Sequence, residues 1–384
     1  MKELAVVVPC LNEAENLRQL LPRVQTVLRE LNAESALYIV DGGSTDGTPE
    51  LAAELGAQVI QQKGRGYGGA TRTAFEQIDA EYILTLDADF SHHPAFIRYL
   101  FAARHEAEII IASRYASQGY ADMPWTRKVL SGTLNWVFRH ALDIPVRDLS
   151  SGFRLYHRRS IDRLGLQYDT YAILQEILVK AYCEGYRIKE IPFHYLPRRH
   201  GTTHARLFHF GVVYLQALAS MWKLRNSIDS ADYDTRAFFS KIPLQRWWQR
   251  KRYKIILNFI GDKLNVLDTG CGSTQMMNGA PQMVCMDILH RKLRFMRRPG
   301  RRLVNANTFA LPFKDNAFDV VLSSQVIEHI PGDPMVFREL VRCVQPGGTL
   351  IVGTPDYGRW QWPLIEKLYG WFNPSGYADE HVTH

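Results

Sequence analysis

The first half of the chain alternates short apolar segments with longer amphipathic ones. After Asn12, apolar residues recur every three or four positions, which predicts an α-helix that starts near that residue. Its apolar positions are Leu17, Leu20, Leu21, Val24, Val27, Leu28 and Leu31. The short segments that we predict as strands are LAVVVP, ALYIVD, AQVIQQ, YILTLD and EIIIAS. Alternating strands and helices predict an α/β fold with a largely parallel sheet covered by helices.

The pattern changes after residue 225. Residues 226–249 are first polar and then aromatic and basic, which is typical of a linker followed by a lead-in helix. The segment KLNVLDTGCGST then predicts a new strand and a glycine-rich turn. A chain of 384 residues is long enough for two domains, which we place at residues 1–225 and 250–384.

The net charge and the cysteine content indicate which kinds of partner and which cellular compartment to expect. A formal charge of +7 and a pI of about 9.1 favour an acidic partner, such as a phosphorylated substrate, an anionic membrane surface or a nucleic acid. The five cysteines are scattered and odd in number, so we expect free thiols in a reducing compartment. The sequence has no signal-peptide pattern and no apolar run of about 18 residues, so we expect a cytoplasmic location.

One apolar segment is a candidate for contact with a membrane. Residues 207–225 are largely apolar but include His209, Gln216 and Lys223, with Trp222 near the end. This composition fits a helix that lies on a lipid surface, and it also fits a helix that packs on its own domain.

Polar clusters follow three of the predicted strands. Pro9 and Glu13 follow the first strand, Asp41 ends the second, and Asp87 and Asp89 follow the fourth. Parallel sheets bind ligands at the carboxyl ends of their strands. A strand-end aspartate is often only a turn residue, but two carboxylates separated by one residue also suit a divalent cation. The local sequence leaves both interpretations open.

Several ordered stretches in the first half resemble family 2 glycosyltransferases. They are VVVPCLNEAENL, YIVDGGSTDGT, LTLDADFSHHP, ASRYASQGYADMPWTRKVLS, VRDLSSGFRLYHR and LQEILVKAYCEGYRIKEIPFHYLPRRHGTTH. The sequence is most similar to the soluble, dolichyl-phosphate-mannosyltransferase-like branch, over about residues 1–225. The resemblance implies a GT-A fold with a Rossmann-like mixed sheet. It also implies transfer of a sugar from a nucleotide diphosphate to a polyprenyl phosphate, either dolichyl or undecaprenyl.

By this resemblance, one end of the sheet holds a metal ion and the sugar donor. Asp87 and Asp89 match a DxD pair that binds Mg²⁺ or Mn²⁺, with Asp89 the direct ligand and Ser91 a further candidate. A cation there would neutralise the charge that grows on the departing diphosphate. The positions that match the cradle of the base and ribose of GDP-mannose or a UDP-hexose are Pro9, Leu11, Glu13 and Asp41. Gln175 and Glu176 match a donor-side pair.

The same resemblance marks an acceptor site. Arg114, Arg127 and Ser131 match positions that bind the lipid phosphate, to which Arg199 or Arg206 would add a contact. Asp89 and Arg114 are the residues that we expect to be catalytic. A phosphomonoester has a second pKa of about 6, so the acceptor is already an anionic nucleophile and needs no general base. We therefore expect in-line attack on the anomeric carbon with inversion.

The second half resembles class I methyltransferases, which use S-adenosylmethionine. NVLDTGCGST matches the first motif of that family, in which glycines let the backbone approach the carboxylate and ribose of the ligand. Asp287 follows the next predicted strand at the spacing of an acid that binds ribose hydroxyls. The positions that match S-adenosylmethionine-binding residues are Asp268, Gly270, Gly272, Asp287 and Asn307. We expect this domain to be C-terminally incomplete, because only residues 355–384 follow its fifth predicted strand.

Alternatives remain open for both halves. The glycosyltransferase could act on a sugar hydroxyl, with the second domain methylating the glycan, and this reaction would need a carboxylate base. The C-terminal part could instead be a non-catalytic partner-binding module. In that part, Glu328 and His329 are expected to belong to the helix after the fourth strand. We expect a peripheral location on the cytoplasmic face of a membrane and no nucleic-acid partner, since the basic run at residues 297–302 is typical of a solvated loop.

Overall fold

A computed structural model describes residues 1–196, 207–329 and 333–354 of the chain. Contacts divide the chain into two units, each with its own sheet. The first unit comprises Met1–Tyr182 and Tyr186–Trp222, and the second comprises Cys183–Gly185 and Lys223–His384. The predicted α/β class with two sheet-containing domains is confirmed.

The first unit is built on a seven-stranded mixed sheet. The strands of this sheet are β1 (Lys2–Cys10), β2 (Ser35–Asp41), β3 (Gln58–Gln61), β4 (Ala80–Thr85), β5 (Ile109–Ser113), β7 (Arg154–His157) and β8 (Ile188–Pro192), whereas β6 (Tyr120–Ala121) and β9 (His194–Tyr195) pair with each other in a separate two-stranded sheet. The sheet order is β3-β2-β1-β4-β7-β5-β8, and β7 is antiparallel to both of its neighbours. Because β2, β1 and β4 are adjacent and parallel, their carboxyl ends meet at one edge of the sheet.

Helices cover this sheet. They are α1 (Ala14–Glu30), α2 (Thr48–Glu54), α3 (Gly66–Gln77), α4 (Ile97–Ala102), α5 (Trp125–Leu142), α6 (Ile173–Cys183) and α7 (Leu207–Asn226). Helix α1 begins two residues after the predicted start, and its predicted apolar face is the buried one, with Leu17, Leu20 and Leu21 fully enclosed. Within the described ranges, no helix has the length and apolar character needed to cross a membrane.

The predicted membrane-contact segment forms α7. Ala217 and Met221 on this helix are buried, whereas Val212 and Leu215 are exposed. A helix with one packed side and one exposed apolar side is compatible with both interpretations of the segment, and contact with a membrane stays a prediction.

The second unit has a five-stranded parallel sheet preceded by two helices. Its elements are α8 (Tyr233–Phe238), α9 (Pro243–Ile260), β10 (Val266–Thr269), β11 (Val284–Asp287), α10 (His290–Met296), β12 (Arg302–Asn305), β13 (Phe318–Ser324), α11 (Pro334–Cys343) and β14 (Val344–Gly353). The order β12-β11-β10-β13-β14 places the first strand of this unit at the centre, as in doubly wound nucleotide-binding folds. Residues 355–384, on which the expectation of an incomplete domain rests, lie outside the described residues.

Candidate active site

The carboxyl ends of β1 and β2 are joined by hydrogen bonds around Asp41. This residue is buried, and its Oδ2 accepts hydrogen bonds from the backbone N–H groups of Gly43 (2.9 Å) and Ser44 (3.1 Å). The N–H of Gly42 donates to the carbonyl of Cys10 at 2.9 Å. Asp41 therefore fixes the loop after β2 beside the end of β1, next to Pro9, where a base and ribose cradle is predicted.

The loop from β1 to α1 is held against the same segment. Asn12 has a left-handed backbone (φ 57°), and its Oδ1 accepts a hydrogen bond from the Thr45 N–H at 2.8 Å. The N–H of Glu13 donates to Thr48 Oγ1 at 2.9 Å, and Glu13 Oε2 accepts from Asn16 at 2.6 Å. These contacts hold the loop in one conformation and leave Leu11 exposed at its tip, as a ligand contact would require.

The DxD pair lies in a tight loop after β4. Asp89 is buried, and its Oδ1 accepts a hydrogen bond from the Ser91 N–H at 3.0 Å. The neutral ring of His92 accepts a hydrogen bond from the Asp87 N–H at its Nδ1 atom (3.0 Å) and stacks on Phe153. Burial lowers the pKa of His92, and the charges of Asp87 and Asp89 oppose this shift only in part. His92 thus sets the backbone of the loop that presents both carboxylates.

The residues of this loop fit a divalent cation. Ser91 Oγ is fully buried and has no hydrogen-bond partner among the described residues, although a buried hydroxyl normally has one. Together with the carboxylates of Asp87 and Asp89 it offers only oxygen atoms, which Mg²⁺ and Mn²⁺ prefer. No cluster of three or more His, Cys, Asp or Glu side chains suited to a metal occurs in the described part of the chain. Two carboxylates leave coordination positions for substrate phosphates.

Arg114 directly follows β5, and its largely enclosed side chain packs against the buried Asp148. Nε of Arg114 donates to Asp148 Oδ2 at 2.8 Å, and Nη2 donates to Oδ1 at 2.7 Å. Burial would raise the pKa of Asp148, but the charge and hydrogen bonds of Arg114 outweigh this and hold it below its usual value. The guanidinium is therefore fixed in orientation, and its described hydrogen bonds use Nε and Nη2 only.

Ser150 joins the predicted acceptor residues. Its Oγ accepts hydrogen bonds from Arg114 Nη2 (2.7 Å) and Asn135 Nδ2 (2.9 Å) and lies 3.3 Å from Ser131 Oγ. Arg127 lies one turn before Ser131 on α5 and has no ion pair among the described residues. The structure thus brings Arg114 and Ser131 together around Ser150 and places Arg127 on the same side of α5.

The acceptor residues and the DxD loop share one segment, residues 148–152. At its end, Gly152 accepts a hydrogen bond from Thr85 Oγ1 through its carbonyl oxygen (2.7 Å). A β-carbon on Gly152 would lie 3.2 Å from Asp87 Oδ1 and 2.8 Å from the Tyr67 hydroxyl, so only glycine lets these side chains approach so closely. Asp148, at the other end, holds Arg114. Asp148, the partner of Arg114, and Gly152, which lies against Asp87 of the predicted metal site, are therefore only four positions apart in the chain.

Gln175 and Glu176 lie in the first turn of α6, and both are buried. The carboxylate of Glu176 accepts hydrogen bonds from the N–H groups of Gln167 (3.0 Å) and Tyr168 (3.2 Å) and from Lys180 Nζ (2.7 Å). The side-chain amide of Gln175 has no partner among the described residues. Glu176 therefore anchors a neighbouring loop, and Gln175 is the member of the pair with hydrogen-bonding capacity to offer a ligand.

The remaining predicted phosphate residues, Arg199 and Arg206, lie outside the described residues, as does His204.

The glycine-rich turn of the second unit follows β10. Gly270 (φ 63°) and Gly272 (φ 58°) have left-handed backbones, and a β-carbon on Gly270 would collide with Val326. The N–H of Gly272 donates to Asp287 Oδ2 at 2.7 Å. Burial raises the pKa of Asp268 to about 8, since no described hydrogen bond compensates its charge. The predicted ligand residues at β10 and β11 therefore lie together.

Two further positions of the second unit were predicted from the sequence. Asn307 follows β12, and its side chain accepts a hydrogen bond from the Phe309 N–H at 3.0 Å. Glu328 and His329 form a short 3₁₀ turn after β13, close to the expected place, and Glu328 is buried.

Comparisons with known proteins agree with both halves. The family model described as glycosyl transferase family 2 matches residues 5–165. An uncharacterised glycosyltransferase of Mycobacterium bovis is 30% identical over 196 residues, which cover 51% of this chain and 86% of that protein. The chain belongs to glycosyltransferase family 2. The model described as methyltransferase domain matches residues 267–352, so a methyltransferase domain follows the glycosyltransferase domain.

Two relatives of this family 2 glycosyltransferase have names that include a polyprenol or dolichol phosphate. Polyprenol monophosphomannose synthase of Mycolicibacterium smegmatis is 28% identical over 241 residues, covering 59% of this chain and 89% of the relative. Dolichol-phosphate mannosyltransferase of Pyrococcus furiosus is 31% identical over 209 residues, covering 52% of this chain. The chain spans 58% of the length of the Pyrococcus relative.

Sequence reasoning missed several residues of these sites. Ser150 and Asp148 lie in a stretch that resembles the family, but only the folded chain shows that they hold Arg114 and Ser131. His92 offered a signal, because it lies only three positions after Asp89 in the same loop. Asp234, which contacts the glycine-rich turn, gave no signal, since it lies in the polar segment interpreted as a linker.

Proposed function

We propose that this family 2 glycosyltransferase transfers a sugar from a nucleotide diphosphate donor to a polyprenyl phosphate, with a divalent cation and with inversion. The observation that carries the proposal is the segment 148–152, which holds Arg114 at one end and contacts Asp87 at the other. A site for an anionic acceptor and a site for a metal-bound donor would then adjoin. The names of the polyprenol and dolichol relatives support the same acceptor class.

Asp89 and Asp87 would hold Mg²⁺ or Mn²⁺, with Ser91 Oγ as a further candidate ligand. When bound, the cation supplies charge neutralisation for the departing nucleoside diphosphate. Other side chains near this site would bind the donor nucleotide. Asp41 and the loop at Pro9, Leu11 and Glu13 would position the base and ribose, and the free amide of Gln175 would donate to or accept from the donor.

The acceptor phosphate would be bound by Arg114, Arg127 and Ser131, with Arg199 or Arg206 as additional contacts. An oxygen of the phosphate forms the new bond to the anomeric carbon while the bond from that carbon to the donor diphosphate breaks. The bonding electrons leave with the nucleoside diphosphate, so the step requires no proton transfer. A rigid guanidinium suits this task, because it binds phosphate oxygens without first losing conformational freedom.

The outer face of α5 supports association with a membrane surface. Trp125, Val129 and Trp136 share one face of the helix by their spacing, and their exposed fractions are 75%, 56% and 61%. Helix α5 also contains Lys128 and Arg139 but no acidic residue. Exposed tryptophans beside cations are typical of helices that lie at an anionic lipid interface. We therefore propose a peripheral location, on the cytoplasmic face, where the lipid acceptor is reached directly.

For the second unit we propose that the methyltransferase domain binds S-adenosylmethionine or a related adenosine ligand. Gly270 and Gly272 have left-handed backbones and no β-carbon, which gives the turn the shape that lets other groups approach its backbone closely. Asp287 ends β11 and Asn307 follows the adjacent strand β12, at the edge of the sheet where doubly wound folds bind ribose hydroxyls and adenine.

Transfer of radiolabelled sugar from a panel of donors tests the main proposal. GDP-mannose and UDP-hexoses are incubated with the protein, polyprenyl phosphate and Mg²⁺ or Mn²⁺, and butanol extraction separates lipid-linked label. We expect label in the organic phase with one donor, and none when a chelator is added. Polyprenol without phosphate is the matched acceptor control. Label that remains water-soluble with every donor contradicts a lipid phosphate acceptor, and chelator-resistant transfer contradicts the role of the metal.

A further inference from the structure

The glycine-rich turn of the second unit is occupied by carboxylates of the chain itself. Its two successive N–H groups, those of Gly272 and Ser273, donate hydrogen bonds to Asp287 Oδ2 at 2.7 Å and to Asp234 Oδ2 at 2.8 Å. Asp287 lies at the end of β11, as a ligand-binding acid would. Asp234 comes from α8, outside the sheet, and its contact has no counterpart in the sequence motif.

Several donors converge on one oxygen of Asp234. Besides the Ser273 N–H, its Oδ2 atom accepts from Lys292 Nζ at 3.0 Å and from Ser273 Oγ at 3.2 Å. Burial alone would raise the pKa of Asp234, but Lys292 and the hydrogen bonds from Ser273 outweigh it, and the pKa lies below its usual value. The carboxylate is thus ionised, and its charge is compensated within the turn.

The contact leaves little space at the turn. A β-carbon on Gly272 would collide with the carboxyl group of Asp234, so the carboxyl group lies directly against the backbone. Helix α8 is also fixed to the turn independently of this charge. Ser273 Oγ accepts from the N–H groups of Asp234 (3.1 Å) and Thr235 (3.2 Å), and Thr235 Oγ1 donates to the Ser273 carbonyl at 2.8 Å.

We propose that Asp234 is a specificity-determining residue of this site, because it takes the place that the carboxylate of an amino-acid-bearing ligand would take. The proposal rests on the proposed binding of an adenosine ligand to this unit. S-adenosylmethionine carries a carboxylate that would need the same donors and would meet the negative charge of Asp234. An adenosine ligand without that carboxylate meets neither obstacle. The site in its present form therefore favours adenosine thioethers that lack the amino-acid group.

Calorimetry with the full chain tests this preference. The probes are S-adenosylmethionine and 5′-methylthioadenosine, which share the nucleoside and differ in the amino-acid group. We expect the unmodified chain to bind 5′-methylthioadenosine at least as tightly as S-adenosylmethionine. Asp234→Asn removes the charge at nearly constant shape, and we expect it to tighten S-adenosylmethionine about tenfold, the scale of one charge-assisted hydrogen bond, with less than a twofold effect on 5′-methylthioadenosine.

Two controls keep the outcomes distinct. Asp262→Asn changes an exposed aspartate of the same unit and should leave both affinities unchanged. Asp234→Ala, with thermal unfolding measured in parallel, removes the acceptor altogether and should also favour S-adenosylmethionine. The role of Asp234 would be overturned if the unmodified chain bound S-adenosylmethionine more tightly than 5′-methylthioadenosine. It would also be overturned if Asp234→Asn did not increase the affinity for S-adenosylmethionine. If neither ligand binds to any of the variants, the proposed adenosine site is wrong as well. The proposed glycosyl transfer to a lipid does not depend on this result, because it is measured in a separate assay.

Discussion

Arg114 and Asp148 form a buried ion pair with two parallel hydrogen bonds, Nε to Oδ2 at 2.8 Å and Nη2 to Oδ1 at 2.7 Å. A third hydrogen bond joins the Arg114 N–H to Oδ2 at 2.9 Å. Asp148 also accepts from the N–H groups of Ser150 (3.2 Å) and Ser151 (3.0 Å), so the pair fixes the segment that adjoins the DxD loop. The same contacts that stabilise the fold therefore orient the guanidinium for a phosphate.

Replacing Asp148 should destabilise the first unit in a pH-dependent way. Asp148→Asn leaves the Arg114 guanidinium buried without its counter-ion, which costs about 3–5 kcal/mol in comparable cases. The pKa of Asp148 is lowered in the folded state, so the ion pair stabilises the fold above the unfolded pKa of about 4 and is lost as the pH falls through the folded pKa. We expect the difference in thermal midpoint between the two proteins to be large at pH 7 and to narrow below about pH 4.

The control for this series is Asp79→Asn, an exposed aspartate that precedes β4. It should unfold like the unmodified protein at every pH. A midpoint difference for Asp148→Asn that stays constant down to pH 3 would contradict the assigned ionisation.

Ser150→Ala should weaken acceptor binding without weakening donor binding. Its hydroxyl is the common partner of Arg114, Asn135 and Ser131, so its loss removes the contact that joins these predicted acceptor residues, while Asp148 still holds the Arg114 guanidinium. We expect KM for polyprenyl phosphate to rise about fivefold to tenfold, the scale of a hydrogen bond to a charged group, and KM for the nucleotide sugar to change less than twofold. Steady-state kinetics with each substrate varied in turn measures both values.

Ser151→Ala provides the matched comparison. Ser151 Oγ donates to the Ala112 carbonyl at 2.9 Å and does not touch Arg114, so this variant should lose stability but keep KM for the acceptor. Ser150→Thr retains the hydroxyl and should restore most of the affinity. Equal increases in both KM values for Ser150→Ala would show that Ser150 is only structural.

The parts of the fold that could be predicted are those with a regular pattern. Helix α1 and strands β1 to β5 were recognisable because burial on one face or both leaves a period in the sequence, whereas the parallel strand β8 was missed. Strand β7 was not recognisable either, because it has only four residues and begins with Arg154. That arginine is fully buried and donates to the carbonyls of Leu174 (2.7 Å) and Leu149 (2.8 Å), which are contacts that no local pattern reports.

The same limit applies to the sites. The position of Asp87 and Asp89 after β4 could be predicted because strand ends in a parallel sheet are local features of the sequence, and their role in metal binding stays a prediction. The roles of Ser150 and Asp234 depend on partners 36 and 39 residues away, namely Arg114 and Ser273. Such contacts arise only when distant elements pack, so the sequence of one chain does not contain a local signal for them.

His92 should make the DxD loop sensitive to acid. Burial lowers the pKa of His92 in the folded state, so the unfolded chain binds the proton more readily. Stability should therefore fall as the pH drops below about 6.5, because protonation of Nδ1 also removes the hydrogen bond from the Asp87 N–H. His92→Gln lacks this titration. We expect its thermal midpoint to depend less on pH between 7.5 and 5 than that of the unmodified protein.

His93→Gln is the control for the neighbouring position, since His93 is exposed on the same loop. This variant should keep the acid sensitivity of the unmodified protein. If His92→Gln and the unmodified protein lose the same stability on acidification, the conclusion that His92 is neutral in the folded protein is wrong.

Asp89→Asn should abolish most sugar transfer while the first unit stays folded. The amide can still accept the Ser91 N–H through its oxygen, as Asp89 Oδ1 does at 3.0 Å, so the loop keeps its main hydrogen bond. The variant loses the negative charge that would hold the cation against a leaving diphosphate. We expect turnover with saturating Mg²⁺ or Mn²⁺ to fall at least about 100-fold, which corresponds to the loss of a few kcal/mol of charge stabilisation. Asp79→Asn, after the same assay and the same thermal unfolding, should be indistinguishable from the unmodified protein. Near-normal turnover of Asp89→Asn at saturating metal would remove this residue from the metal site.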